Sequence, residues 1–307
     1  MNGVQITGLA NLAGGTMRGV QLAGISNISG NNTVGLSAAG LVNITGDRPQ
    51  GVIISGLTSI GGDNTSGLMI SGFMNVTGNM ASGLHFYGAA NITGQSFGGL
   101  MASGLLNVVG EHMNGLQIAG IANITASKLN GVQIALCNYV TQARGLQIGL
   151  VNYYKEDMKG FQLGLVNANP DTRVQMMVYG GNATPVNIGV RFKNQLFYTI
   201  LGVGSMYQGL NDKFSASASY RAGLSFPLYK GLSISGDLGY QHIEAFDNKD
   251  EVIPKRLYAL QARANLEYQF TRKFGIYATG GYGLTRFYNK SSNYDKGAII
   301  EAGIVLF

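Results

Sequence analysis

Charge is what this sequence has little of: only 12% of its 307 residues are Asp, Glu, Lys or Arg, about half the usual share. Disorder driven by charge is thereby excluded, and a hydrophobic content of 45% gives a chain of this length a sizeable core to bury. Cysteine occurs once, at Cys137, so an internal disulfide is excluded; within "ALCN" it reads as a small buried apolar residue. No run of about 18 apolar residues exists, which excludes a membrane helix. The three histidines, His85, His112 and His242, share no motif spacing, so neither a metal site nor a catalytic triad is expected. No secretory signal opens the chain. Instead "MNGVQITGLANLA" at 1–13 copies "MNGLQIAGIANIT" at 113–125. Met1 therefore reads as a residue inside a repeat that is already running, with further units and a signal expected upstream.

Glycine, by contrast, is abundant at 47 residues, and its spacing is the most informative feature. Glycines at 3, 19, 35, 51, 67, 83, 99, 115 and 131 lie 16 residues apart without a slip. Each opens a unit close to G-[LV]-x-[IL]-x-G-[LIF]-x-N-[IV]-[TS]-G. Asn11, Asn27, Asn43, Asn75, Asn91, Asn107 and Asn123 share one column, with Ser59 its single departure. After Gly131 the asparagine comes one residue earlier, giving Asn138, Asn152 and Asn167.

Identical residues at identical offsets stack when successive units run parallel, so a unit of this length predicts one coil of a parallel β-solenoid with Leu/Val, Ile and Asn ladders along its axis. A helix is disfavoured because glycine recurs at interior positions, each costing about 1 kcal/mol relative to alanine. The second glycine of each unit, Gly8 and Gly120 among them, is expected at a corner that needs a positive φ. An up-and-down barrel with one strand per unit is the competing geometry. The N-I-[ST] tripeptides at Asn27, Asn43, Asn91 and Asn123 match glycosylation sequons but read as ladder positions.

Through residue 140 only Arg18, Arg48 and Lys128 face Asp47, Asp63 and Glu111, so the net charge of +6 comes from the C-terminal half. There the basic residues cluster at turns, and nucleic acid is not an expected partner. That half alternates strictly. In 258–270, Tyr258, Leu260, Leu266, Tyr268 and Phe270 share one face, with Gln261, Arg263, Asn265, Glu267 and Gln269 on the other. "FSASASYRAGLSF" and "FGIYATGGYGL" follow the same pattern. Alternating segments of about 9–11 residues with aromatic ends are the signature of a transmembrane β-barrel. Eight strands are expected from about residue 174, with short turns at 193–194, 227–230 and 271–272 alternating with longer loops at 209–213, 245–255 and 289–296. An eight-stranded lumen is just wide enough for side chains to fill. Arg191, Arg221, Asp237, Arg263, Glu267 and Glu301 lie on the inward register and are expected to pair there, making a plugged anchor rather than a pore.

The "GLQIGLVN" unit followed by an aromatic-rich barrel resembles a family of repeat-containing surface or outer-membrane proteins of bacteria, most strongly over 131–204. The closing "AGIVLF" is similar to the C-terminal assembly signal of outer-membrane proteins. The resemblance implies a location in the bacterial outer membrane more than an activity.

The expectation is thus an all-β chain: a β-solenoid over 1–173 and an outer-membrane barrel of approximately eight antiparallel strands over 174–307. Its function is read as non-enzymatic, the barrel anchoring in outer-membrane lipid and the solenoid serving as scaffold for a protein or glycan partner. No catalytic, cofactor-binding or metal residues are expected, and no cofactor. Three alternatives stand beside it. One is an enzyme with a site on the barrel or solenoid wall. Another is a solenoid adhesin that orders water or ice on its Asn and Thr columns, such as Asn43 with Thr45. The third has the repeats as additional barrel strands. Strand parity places the repeats in the periplasm if the segment from Val174 is a barrel strand, and on the cell surface if it is not.

Overall fold

The computed structural model describes residues 1–205, 214–246, 255–288 and 293–307, and these residues form strands and turns with no helix among them. They divide into two compact units, Met1–Gly164 and Leu165–Phe307.

The first unit is a parallel β-solenoid. Each regular coil contributes a longer strand, such as Met17–Ala23, and a shorter one, such as Ser26–Ser29. Coils pair in parallel at the repeat spacing, so that Gly3 lies beside Gly19, Gln5 beside Gln21 and Asn11 beside Asn27. Parallel pairing at one full repeat is why the glycine and asparagine columns each hold one kind of residue, Ser59 apart, and it rules out the repeats as antiparallel barrel strands.

The first glycine of the unit bends the longer strand. Eleven of these glycines, from Gly3 to Gly160, have φ between +111° and +151°, a region that L side chains avoid. The second column differs from expectation. Gly24 is not in that region, but a Cβ there would lie 2.1 Å from the carbonyl oxygen of Gly8 in the preceding coil. Close approach of backbones, rather than left-handed geometry, selects glycine at that corner.

After Thr125 the register shifts, and Gly131, Gly145 and Gly160 come into line despite the shortened units. The corner between the shorter and the following longer strand is lost, and the two fuse into Ala122–Ile134, Cys137–Ile148 and Val151–Leu163.

Counting from the first glycine of each unit, the even offsets −2, +2, +4, +8 and +10 point inward. Met17, Gln21, Asn27 and Ser29 are buried at four of them in one coil. The aliphatic odd offsets point outward, so the interior is rich in amides and hydroxyls while the surface is rich in Leu, Ile and Val. Cys137 has an outward offset and is exposed, contrary to the expectation that it is buried. Its place in the column of Ala122 and Val151, one residue before the inward Asn138, accounts for this.

The second unit is a closed antiparallel barrel of eight strands: Arg173–Gly181, Val186–Asn194, Phe197–Ser205, Ser215–Tyr229, Leu232–Ala245, Lys255–Thr271, Phe274–Phe287 and Asn293–Leu306. It closes by pairing Met176 with Leu306 through to Gly181 with Glu301. One end carries two-residue turns at 195–196, 230–231 and 272–273, each displaced a residue or more from its expected position because the strands pair further. At the opposite end, the longer loops fall largely outside the described residues, the one expected at 209–213 entirely so. The first strand begins at the short-turn end, where Arg173 pairs with Lys193. Just before it, the segment from Leu165 lies against the outer wall. Thr199, of outward parity, is fully buried there and donates to the Leu165 carbonyl at 3.0 Å.

Candidate functional site

Both interiors carry buried polar side chains, arranged in different ways. In the solenoid, the asparagine column runs as an amide ladder. The Nδ2 of Asn11 donates to Oδ1 of Asn27 at 2.8 Å, and Asn27 in turn to Asn43 at 3.1 Å. Asn75 donates to Asn91 at 2.9 Å. Asn107 donates to Asn123 at 3.0 Å, and the ladder continues through Asn138 to Asn152. Each amide also serves a corner of its coil; Asn123 donates to the carbonyls of Gln117 and Ile134. These bonds tie the amide column to the backbone of its own and the following coil, each a net gain of about 1 kcal/mol.

The ladder is interrupted twice. At Ser59 the column passes through hydroxyls, with Asn43 donating to Ser55, and Ser55 and Ser71 each bonded to Ser59. Between Asn91 and Asn107 the amides do not meet, and Nδ2 of Asn91 and Oδ1 of Asn107 have no hydrogen-bond partner. That gap lies beside the bulkiest part of the core, where His85 packs edge-on against Phe97 at 4.9 Å and Tyr87 at 5.9 Å. His85 is wholly buried; its Nδ1 meets the Tyr87 hydroxyl at 3.1 Å, and burial lowers its pKa from the ordinary 6.5 to about 4. It is a neutral core residue.

A second ladder went unrecognised in the sequence. Gln21 donates to Gln5 at 2.8 Å near one end of the unit. Near the other end, Gln133 donates to Gln117 at 2.8 Å, Gln147 to Gln133 at 2.9 Å and Gln162 to Gln147 at 2.7 Å. Its signal was present in "GVQI", "GLQI" and "GFQL", where the glutamine sits at an even offset between two apolar residues.

The barrel lumen brings together all six charged residues assigned to it. Arg191 donates through Nη1 and Nη2 to both oxygens of Glu267, at 2.5 and 2.9 Å, with Gln175 accepting from the same guanidinium. Arg221 grips Asp237 through Nε at 2.9 Å and Nη2 at 2.8 Å. Arg263 does the same to Glu301, both contacts at 3.1 Å, and Arg221 Nη1 lies 3.6 Å from that carboxylate. Tyr198 and Asn265, not singled out in the sequence, each donate to Asp237 at 2.8 Å. Three acids and three bases thus neutralise one another in bidentate pairs, the strongest geometry available to such groups. Free space among Met177, Arg191, Tyr198, Arg221, Glu267 and Tyr277 is about 10 Å³, room for at most one water. No carboxylate in this set is free to act as a general base.

Among the described residues no group of three or more His, Cys, Asp or Glu side chains could hold a metal ion. The Asn and Thr columns proposed to order water are buried, Asn43 and Thr45 included, so that reading fails: a flat array must face solvent to act on it.

Comparison with protein-family models gives no match, and comparison with curated proteins gives none. Among solved structures, the chain is similar to the N-terminal β-barrel domain of Pseudomonas aeruginosa OprF, at 17% identity and TM-score 0.30 over 43% of this chain and 93% of that one. It is similar to Neisserial surface protein A at 10% identity and TM-score 0.31, over 43% of this chain and 93% of that one. A third similarity is to the Yersinia pestis outer membrane protein Ail, described in a phospholipid bilayer nanodisc, at 15% identity and TM-score 0.29 over 44% of this chain and 99% of that one. No role is carried over from these proteins.

Proposed function

We propose that the chain is a non-enzymatic protein of the bacterial outer membrane, with 174–307 a plugged anchor and 1–173 a scaffold that meets a partner. The observation that carries this reading is the barrel's polarity. Inward positions hold three ion pairs, whereas Leu238, Leu260, Leu266 and Ile300 are exposed on the outer wall. A soluble barrel reverses that arrangement, and a lipid-facing one requires it. Tyr268, Phe270 and Phe274 add exposed aromatic rings at the short-turn end, as at a membrane–water interface.

With eight strands, the chain enters the barrel at the short-turn end. Outer-membrane barrels keep short turns on the periplasmic side, which supports a periplasmic solenoid. A glycan partner is disfavoured because the solenoid's aliphatic columns offer few hydrogen-bonding groups, and among the described residues no acid, base and nucleophile come together as a catalytic set.

Heat-dependent mobility on a denaturing gel, together with recovery in the detergent-extracted envelope fraction, tests the anchor. A fully soluble protein with no mobility shift overturns it. A cysteine at Asn64, with Cys137 replaced by alanine, tests the side: modification by an impermeant reagent on intact cells overturns the periplasmic placement.

A further inference from the structure

The solenoid's surface divides sharply by offset. Its six basic residues, Arg18, Arg48, Lys128, Arg144, Lys155 and Lys159, and its five acidic ones, Asp47, Asp63, Glu111, Glu156 and Asp157, all lie one to five residues before a positive-φ glycine. They occupy one wall and the corner that leads into it. The other two walls carry mostly aliphatic side chains at offsets +1, +3 and +9, such as Leu84, Ile70, Ile60 and Ile92, all exposed, while offset +7 is mixed, with Ser26 and Thr58 beside Val42 and Leu106. These walls meet at offset +6, an apex formed by Leu41, Leu57, Phe73, Leu105 and Ile121, where Phe73 is 55% and Leu105 49% exposed. Eleven glycine-marked rungs at about 4.8 Å extend the wedge to roughly 50 Å, and two walls about 13 Å wide give an apolar surface on the order of 1,000 Å². The largest such patch on an ordinary soluble monomer is about 300–600 Å².

We propose, on the outer-membrane reading given above, that the partner of this surface is the bilayer itself: the apex and its two walls sit among lipid acyl chains while the charged wall stays in water. Three features favour lipid over a protein. Apolar columns occupy two walls and the edge between them, so a single docking partner would leave much of the surface bare, whereas lipid closes around an edge. A specific protein interface carries about one hydrogen bond per 100–200 Å², yet these walls offer few side-chain donors or acceptors, Ser26, Thr58, Tyr139 and Tyr153 among them, and coil-to-coil pairing already uses their strand backbone groups. Finally, all of the solenoid's side-chain charge is confined to the wall opposite the apex and the corner that leads into it, the partition that defines an amphipathic element lying in a membrane interface, typically to a depth of about 5–10 Å. With bases and acids nearly balanced, attachment rests on apolar burial and depends little on anionic headgroups.

The test uses the full-length chain with Cys137→Ala, reconstituted in phosphatidylcholine vesicles and labelled with a small fluorophore at single cysteines. Leu57→Cys and Leu105→Cys mark the apex, Ser82→Cys the polar wall and Leu260→Cys the barrel exterior. Brominated phosphatidylcholine is expected to quench the two apex labels and the barrel label by about threefold or more, while aqueous iodide quenches only the Ser82 label. Apex labels quenched by iodide but not by bromolipid, with the barrel label still lipid-quenched, overturn the lipid inference and leave the anchor intact. Apex labels reached by neither quencher also overturn it, indicating burial by protein; disulfide formation between Leu57→Cys copies then identifies a second copy as the cover. Loss of bromolipid quenching at Leu260 as well overturns the outer-membrane reading itself.

Discussion

The solenoid and the barrel both bury polar side chains and expose apolar ones, yet the solenoid sets amide ladders beside an apolar cluster around Phe97, Met101 and Met113, whereas the barrel buries ion pairs. Strand direction explains the difference. Parallel coils stack each residue on its own copy about 4.8 Å away, so a column of arginines or glutamates would repel itself. An amide is both donor and acceptor and complements an identical neighbour, as Asn11, Asn27 and Asn43 do. The antiparallel barrel places unlike residues side by side and across the lumen, so Arg191 can find Glu267 across 76 positions of sequence. Self-complementarity in one unit and complementarity in the other satisfy the same need, partners for most buried polar groups, with the gap between Asn91 and Asn107 an exception in the solenoid.

The largest break in this comparison is expected at the ion pairs. Asp237→Ala leaves Arg221 without its bidentate partner in a closed lumen. It should cost about 3–5 kcal/mol, read as a lower urea midpoint for the barrel in detergent. Asp237→Asn with Arg221→Gln, which leaves no charge unpaired, should recover much of that loss. A double variant no more stable than Asp237→Ala would show that charge balance is not what the lumen requires. On the outer wall, Leu260→Arg places a cation against lipid and should cost about 2–4 kcal/mol, with slower acquisition of the heat-sensitive mobility. Gln261→Leu, an inward neighbour, should leave insertion unaffected.

How much of this was legible in the sequence follows from the same contrast. The solenoid's period was plain because backbone contact fixes glycine, and ladder bonding fixes asparagine, in every coil. Which residues face inward was less plain. The column at offset +2 contains Gln21, Ser37, Ile53, Met69 and His85, so no single residue type announced it, and the glutamine ladder at its two ends went unseen. Cys137 was misplaced for the same reason: hydrophobicity, rather than offset, decided its assignment. In the barrel, strict alternation placed all six charged residues on the inward side. It could not say which acid meets which base, because that depends on register between strands far apart in the chain.

His85 offers a pH test confined to the solenoid. Its pKa is about 4 in the folded protein against 6.5 when exposed, so the folded state binds fewer protons and loses stability as pH falls through that interval. Stability is full above pH 6.5, and about 3 kcal/mol is lost on reaching pH 4. The side chain faces Tyr87, whose own pKa is raised by burial and which stays neutral throughout. His85→Met matches its column neighbours Met69 and Met101, and the difference between wild type and variant separates this effect from the surface carboxylates. Equal pH slopes for the two proteins would exclude His85 as the source.

The smallest expected effect has the opposite sign. Ser59 is the one departure from the asparagine column through residue 123, and there the amide ladder gives way to short hydroxyl bonds. In Ser59→Asn, the new Oδ1 lies where Asn43 can donate and the new Nδ2 faces Ser71, the relation that Asn43 already has with Ser55 at 2.8 Å. If self-complementary stacking is what stabilises the interior, joining Asn43 to Asn75 should raise solenoid stability by about 1 kcal/mol, a typical net gain for one hydrogen bond. Ile53 and Met69 fill the same section of the core, so the added volume works against that gain. A higher thermal midpoint means the ladder bond outweighs overpacking. A lower one means that serine is present because larger neighbours took its space, and that packing sets the column's exceptions.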